Sequence, residues 1–337
     1  MRSSVLTVLA GVTAAFFFSS IFIHFWLGQI FFPLCTLPLF LIFFTLPHRE
    51  IWLALAGSGA TLGILSLTGL MGSGGVAVGL IIAFIVSAAL PAALIGTFYA
   101  RPYKIDEEGN PVVWMPVEVA VILLCFLSLM LFYTAYAFLP KFAGQSMFDV
   151  FHQISTDFVI DLVAELSKVD TGDGLTLDPK ALALETTLKM PAVLIFMFML
   201  GHLLNLLFAQ HLARRNHMTD QPLPNFATIY FPYQFLILFV LSYGAYLYGE
   251  HVALPPETMF TLAPAVVAFG LPLMLQGLST FHRVFLLKLV KVGRISVYLG
   301  LFFGFVALAK PMALVFTFVG AINNAKVFLQ RNKNTEE

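Results

Sequence analysis

Charge is what this sequence has least of. Only 11% of its 337 residues are Asp, Glu, Lys or Arg, against about 25% in a soluble domain. A water-facing surface cannot be built from that inventory. The 18 basic residues are matched by 18 acidic ones, so no basic excess is available for nucleic acid. Cysteine is equally scarce. Cys35 and Cys125 both sit in apolar runs with no C-x-x-C pair and no His cluster nearby, which excludes a disulfide framework and a zinc ribbon. G-x-S-x-G, H-E-x-x-H and G-x-x-x-x-G-K-[ST] are all missing. The chain is therefore expected not to be an enzyme, to hydrolyse no ATP, and to need no cofactor or metal.

What remains is apolar: 59% of residues are hydrophobic and the mean hydropathy is +0.91. A helix needs about 20 apolar residues to cross the hydrocarbon core. No charged residue occurs from Ser3 to His48, a run of 46 residues, which as one helix would be about 69 Å long. It must fold back, with Gly28-Gln29 as hinge, into spans Val5–Leu27 and Ile30–Leu46. Pro33 and Pro38 predict that the second is kinked or partly unwound. Ile51–Ala100 is likewise free of charge, and Gly72-Ser73-Gly74-Gly75 divides it into Ile51–Met71 and Val76–Tyr99. Val119–Pro140, Met190–Ala213, Gln221–Gly249 and Thr258–His282 each suit one span. Ile295–Ala325, interrupted by Lys310-Pro311, reads as one broken helix or two short ones.

Charge placement arbitrates between nine and ten spans. With a cytoplasmic N-terminus and ten spans, thirteen Lys and Arg fall inside and five outside, as the positive-inside rule requires. Nine spans would send Lys326, Arg331 and Lys333 outside. The expected fold is all-α: a polytopic transmembrane helical bundle of about ten spans with both termini cytoplasmic. It forms a single transmembrane domain over residues 1–329, and residues 330–337 form a disordered cytoplasmic tail.

Lys141–Lys189 is the one sizeable extramembrane segment. Met147, Phe148, Phe151, Ile154, Phe158, Leu162 and Leu166 recur at helical steps, with Asp149, Gln153, Asp157, Asp161 and Glu165 on the other side. That is an amphipathic helix on the outer surface or capping the bundle. Asp170-Thr171-Gly172-Asp173-Gly174 lacks the ligand positions of a calcium loop and reads as a turn. Arg101–Pro111 reads as a short polar cytoplasmic loop.

Polar residues inside spans are the candidates for function, because hydrocarbon offers them no partner. His202 and Asn205 share one helix face with Ala209; Gln276, Ser279, Thr280 and Arg283 share another. His202, Asn205, Gln276, Ser279 and Thr280 are therefore candidate substrate-binding residues, and the plain alternative is interhelical hydrogen-bonding glue. Asn323-Asn324 reads as a cap. Small residues form a second pattern. Ala10-x-x-x-Ala14 in the first span and Gly59-x-x-x-Gly63 in the third would let helices approach closely, within the chain or against a partner.

The C-terminal half carries a resemblance. Gly201-His202-Leu203-Leu204-Asn205-Leu206-Leu207-Phe208-Ala209-Gln210 runs into Arg214-Arg215 and Pro222-Leu223-Pro224-Asn225. Gln276-Gly277-Leu278-Ser279-Thr280-Phe281-His282, Tyr298, Pro311, Gly320-Ala321-Ile322-Asn323-Asn324 and Arg331 follow. Over roughly Pro191–Arg331 this resembles the YybS-like predicted membrane proteins (domain of unknown function 2232), especially their proteobacterial members. Those are grouped distantly with the substrate-binding membrane subunits of energy-coupling-factor vitamin transporters. The resemblance implies a bacterial cytoplasmic (inner) membrane and a small-molecule-binding subunit without its own ATPase. It also implies that Ala10 and Ala14, at the spacing of the docking stripe of those transporter subunits, meet a membrane partner subunit. The alternative is a non-transporting envelope scaffold or assembly protein; the lipid bilayer is a partner in either case.

Overall fold

A computed structural model describes residues 2–23, 28, 31–46, 50–68, 75–106, 111–166, 178–225, 228–288, 296–297, 301 and 309–336. The described residues are overwhelmingly helical. The helices are α1 (Arg2–Ile23), α2 (Leu37–Thr45), α3 (Ile51–Leu67), α4 (Gly75–Phe84) and α5 (Leu90–Tyr99). They continue with α6 (Val117–Ala143), α7 (Met147–Leu166), α8 (Pro179–Arg215), α9 (Gln234–His251), α10 (Pro256–Val284) and α11 (Ala309–Glu336). Five described helical stretches are long and apolar enough to cross a membrane: Val78–Tyr99, Val117–Lys141, Pro179–Arg215, Pro256–Val284 and Pro311–Gln330. The chain is a helical, multi-pass membrane protein.

Prolines decide where the helices depart from the charge-free windows. The window Ile30–Leu46 is broken as expected, into a 3-10 turn at Phe32–Leu34 and the short α2. The window Gln221–Gly249 is not one span. Pro222, Pro224 and Pro232 keep the chain irregular, and α9 starts only at Gln234. Between α4 and α5 the helix widens into a π turn at Ile85–Ala89, where Leu90 N–H bonds the Ile85 carbonyl. Pro91 follows, unable to donate to Ser87 four residues back, and the wider turn absorbs that break. The segment after Arg101 is not a simple loop: Pro102–Ile105 and Pro111–Trp114 pair as an antiparallel hairpin. α11 continues to Glu336 across the segment expected to be a disordered tail. The turns at Gln29 and at 72–74, the Asp170–Gly174 segment and most of 289–308, which bears on nine against ten spans, lie outside the described residues.

Capping is local and legible. Ser146 accepts a hydrogen bond from Asp149 N–H (3.0 Å) and donates to its carboxylate (2.6 Å) at the start of α7. Asp178 accepts from Lys180 N–H (3.0 Å) ahead of Pro179 at the first position of α8.

The chain divides into two compact units, Met1–Leu127 with Phe198–Asn225, and Ser128–Met197 with Phe226–Glu337. In the first, α1 packs on α3 at a glycine: a Cβ on Gly11 would run into the Ala54 carbonyl, and one on Gly57 would lie 2.9 Å from the Val8 carbonyl. The Ser58 hydroxyl lies 2.8 Å from the Gly11 carbonyl and 2.9 Å from that of Ala54, bridging the two helices. Gly59 and Gly63, expected to form the smooth side of this helix, have no described atom within 4 Å of a built Cβ. The close contact is one helical phase away, on Ala54, Gly57 and Ser58.

In the second unit α10 and α11 cross at Gly277 and Gly320. A Cβ on Gly277 would overlap the Phe316 carbonyl, and one on Gly320 the Leu273 carbonyl. Phe239, Leu273 and Ala321 form the adjoining core. α7 buries Met147, Phe148, Ser155 and Val159, while Ile154, Phe158 and Leu162 stay exposed. The amphipathic helix is present, but its buried face is rotated toward Ser155 from the stripe read off the sequence.

The crossing sets a stability test. Gly277→Ala or Gly320→Ala should each cost about 3 kcal/mol, because backbone carbonyls cannot move aside as side chains can. Gly59→Ala should stay within about 0.5 kcal/mol of the parent. Thermal or denaturant unfolding of the purified protein in detergent micelles distinguishes the two classes.

Candidate functional site

In the first unit, α8 carries His202 and Asn205 on one buried face with Leu206 and Ala209. Asn205 Nδ2 donates to the Pro33 carbonyl and to Thr36 Oγ1, both at 2.7 Å. The amide thus serves the stretch between Phe32 and Leu37 where the second hydrophobic run is unwound. His202 Nδ1 lies 2.8 Å from the Phe198 carbonyl one turn back on its own helix. The ring is flanked by Phe198 (4.3 Å between centroids) and, edge-on, Phe40 (6.4 Å), and it interacts with the backbone at Ser87 and Ala88 of the π turn. Nε2 is buried and without a hydrogen-bond partner.

The same unit holds a polar group that sequence reasoning did not single out. Tyr99 O–H donates to Gln210 Oε1 (3.1 Å), Gln210 Nε2 donates to the Pro222 carbonyl (2.9 Å), and Gln221 Nε2 donates to the Tyr99 carbonyl (3.1 Å). All three side chains are buried. They hold the proline-rich stretch after α8, whose backbone has no helical bonds of its own.

In the second unit the other end of that stretch is held in the same manner. Phe231 is fully buried and non-helical. Its N–H donates to Gln276 Oε1 (3.2 Å), and its carbonyl accepts from Asn324 Nδ2 (2.7 Å). Asn324 Nδ2 also lies 3.2 Å from Gln276 Oε1. Two amides, one from α10 and one from α11, therefore clamp one residue's backbone. From the sequence alone Asn324 reads as a cap. It lies four residues after Gly320, and Gln276 lies beside Gly277, so the glycine crossing brings the two amides together. A G-x-x-x-N phase in the last span was the available signal, but a single sequence does not say which helix it faces.

Ser279 is buried in the same region of α10, and Thr280 turns its hydroxyl back to the Gln276 carbonyl (2.9 Å). The candidates thus fall into two sets, His202 with Asn205 in one unit and Gln276, Ser279 and Thr280 in the other. Of the proposed docking stripe, Ala14 is fully buried and Ala10 half-buried, on the helix that packs on α3 through Gly11. Among the described residues no group of three or more His, Cys, Asp or Glu could hold a metal ion.

Each amide cluster has atoms left over. Gln276 Nε2 and Asn324 Oδ1 are buried without partners, as is Gln221 Oε1. A buried unpaired polar group costs about 1–3 kcal/mol, so each calls for a physical account. No protein-family model, curated protein or solved structure matches the chain.

Asn324→Ala should destabilise the protein by about 1–3 kcal/mol, because the buried Phe231 carbonyl loses its donor. Asn323→Ala, at the neighbouring half-buried position, should stay close to the parent. Asn205→Ala should resemble Asn324→Ala, since the Pro33 carbonyl is left unpaired. Unfolding midpoints of the three variants in one detergent check the order.

Proposed function

We propose that this multi-pass membrane protein is a small-molecule-binding membrane subunit, allied to the YybS-like family and, distantly, to vitamin and metabolite transporters, without its own ATPase. The observation that supports it most is the pair of buried amides in the second unit, which retain one free donor and one free acceptor after holding Phe231. Gln276, Ser279 and Thr280 form the polar wall of that site in this reading, and His202 and Asn205 belong to the support of the first unit. The absence of a nucleotide-binding motif agrees with a subunit that leaves energy coupling to a partner.

The topology proposed with it is ten spans in a bacterial cytoplasmic membrane with both termini cytoplasmic, supported by the thirteen-to-five distribution of Lys and Arg. The second reading, an envelope scaffold or assembly protein, is favoured by one feature: α7 presents Ile154, Phe158 and Leu162 on an exposed face. Docking through Ala10 and Ala14 receives less support, because the small side of α1 is occupied by α3.

Native mass spectrometry or a thermal-shift screen against vitamins and metabolites tests the binding reading. At least one compound should raise the melting temperature, and Gln276→Met should weaken that response about tenfold or more. A uniformly silent screen would favour the scaffold. For the topology, cysteines placed at Gly172 and Thr335 in a variant lacking Cys35 and Cys125 should label from opposite sides of the membrane. Labelling from the same side overturns ten spans.

A further inference from the structure

We propose that the spare edge of the Gln276–Asn324 pair receives an uncharged ligand group offering an acceptor and a donor side by side, as the C(=O)–NH edge of a lactam or cyclic imide does. This names the ligand class for the binding site above and rests on that reading.

The pattern of donors and acceptors depends on which atom of each amide is which. Oxygen and nitrogen of an amide side chain are told apart by their hydrogen bonds, and Phe231 settles both. Its N–H can only meet an oxygen, so the Gln276 atom at 3.2 Å is Oε1. Its carbonyl can only meet a donor, so the Asn324 atom at 2.7 Å is Nδ2. The remaining atoms are then fixed: Gln276 Nε2 is a donor and Asn324 Oδ1 an acceptor, both buried and both unpartnered. The 3.2 Å contact between Asn324 Nδ2 and Gln276 Oε1 makes the two amides neighbours.

Such an edge discriminates by charge and by pattern. A carboxylate has only acceptors and would set one oxygen against Asn324 Oδ1. An ammonium has only donors and would be repelled by Gln276 Nε2. Among the described residues neither would find a counter-charge: the hydrogen-bond partners of the pair are amides and backbone, and Arg283 and Lys326, the closest described charged side chains along α10 and α11, are exposed. Burying an unpaired ion is far costlier than burying a neutral amide. A neutral group with one acceptor and one donor satisfies both spare atoms. N-methylation of that group removes the donor and leaves Asn324 Oδ1 unpaired.

The test uses the full chain in detergent micelles and reads the melting temperature with glutarimide and δ-valerolactam at millimolar concentration. Their N-methyl forms, glutarate and piperidine serve as comparison probes. Glutarimide or δ-valerolactam should raise the melting temperature, and the methylated and charged probes should not. Gln276→Met removes the spare donor, so it should bind about tenfold or more weakly. An equal response to the N-methyl forms, or an undiminished response in Gln276→Met, overturns the proposal. If Gln276→Met does not fold, the methylated pair on the parent protein decides. Should the vitamin and metabolite screen give a hit while lactam and imide give none, the ligand class is wrong and the binding reading stands. Silence in both means that the edge holds an ordered water only, and both fall.

Discussion

A chain that lives in hydrocarbon has no water with which to satisfy a peptide group, so every departure from helix has to be repaired from within. Prolines create those departures in this protein, and side-chain amides repair most of them. The unwound stretch around Pro33 is met by Asn205. The irregular chain after α8 is met by Gln210 at Pro222, and by Gln276 with Asn324 at Phe231. At Pro91 the repair is different: the helix widens into a π turn, and His202 packs against its backbone. The scarce polar residues of the spans sit where the backbone has lost its own bonds.

That arrangement depends on helices coming close enough for short amides to reach. Asn and Gln extend only a few bonds from the backbone, so the α10–α11 crossing must be tight, and Gly277 against Gly320 makes it so. The glycines and the amides are one device: removing a glycine would push the helices apart and take the clamp off Phe231. In the first unit the same closeness at Gly11 is bridged by Ser58 instead, which bonds neighbouring helix carbonyls and leaves no irregular backbone to hold.

Much of this was legible from residues alone. Charge-free windows locate helices well because the cost of burying Lys, Arg, Asp or Glu in lipid is large and local. They fail at Gln221–Gly249, where no charge marks the irregular stretch and only Pro222, Pro224 and Pro232 announce it. The candidates Asn205, Gln276 and Ser279 are all buried, as interior polar residues should be. Asn324 and Gln210 were missed because helical phase fixes a face without naming its neighbour. The same limit explains Gly59 and Gly63, which have the spacing of a packing motif on a side where no described atom approaches. It also explains α7, where exposed Ile154 and Phe158 outscore buried Ser155 on any hydrophobic pattern.

Whether such amides are glue or site is decided by what they have left after the structural bonds are made. Gln210 is spent at both ends, accepting from Tyr99 and donating to Pro222. Asn205 has its nitrogen committed twice. Gln276 and Asn324 differ. Each gives Phe231 one atom and keeps the other, and what they keep is complementary, a donor on one amide and an acceptor on the other. The bonds to Phe231 fix the planes of both amides and remove the rotational freedom that a free side chain would lose on binding a ligand. Structural use of one edge is thus what prepares the other, and holding Phe231 is no argument against recognition.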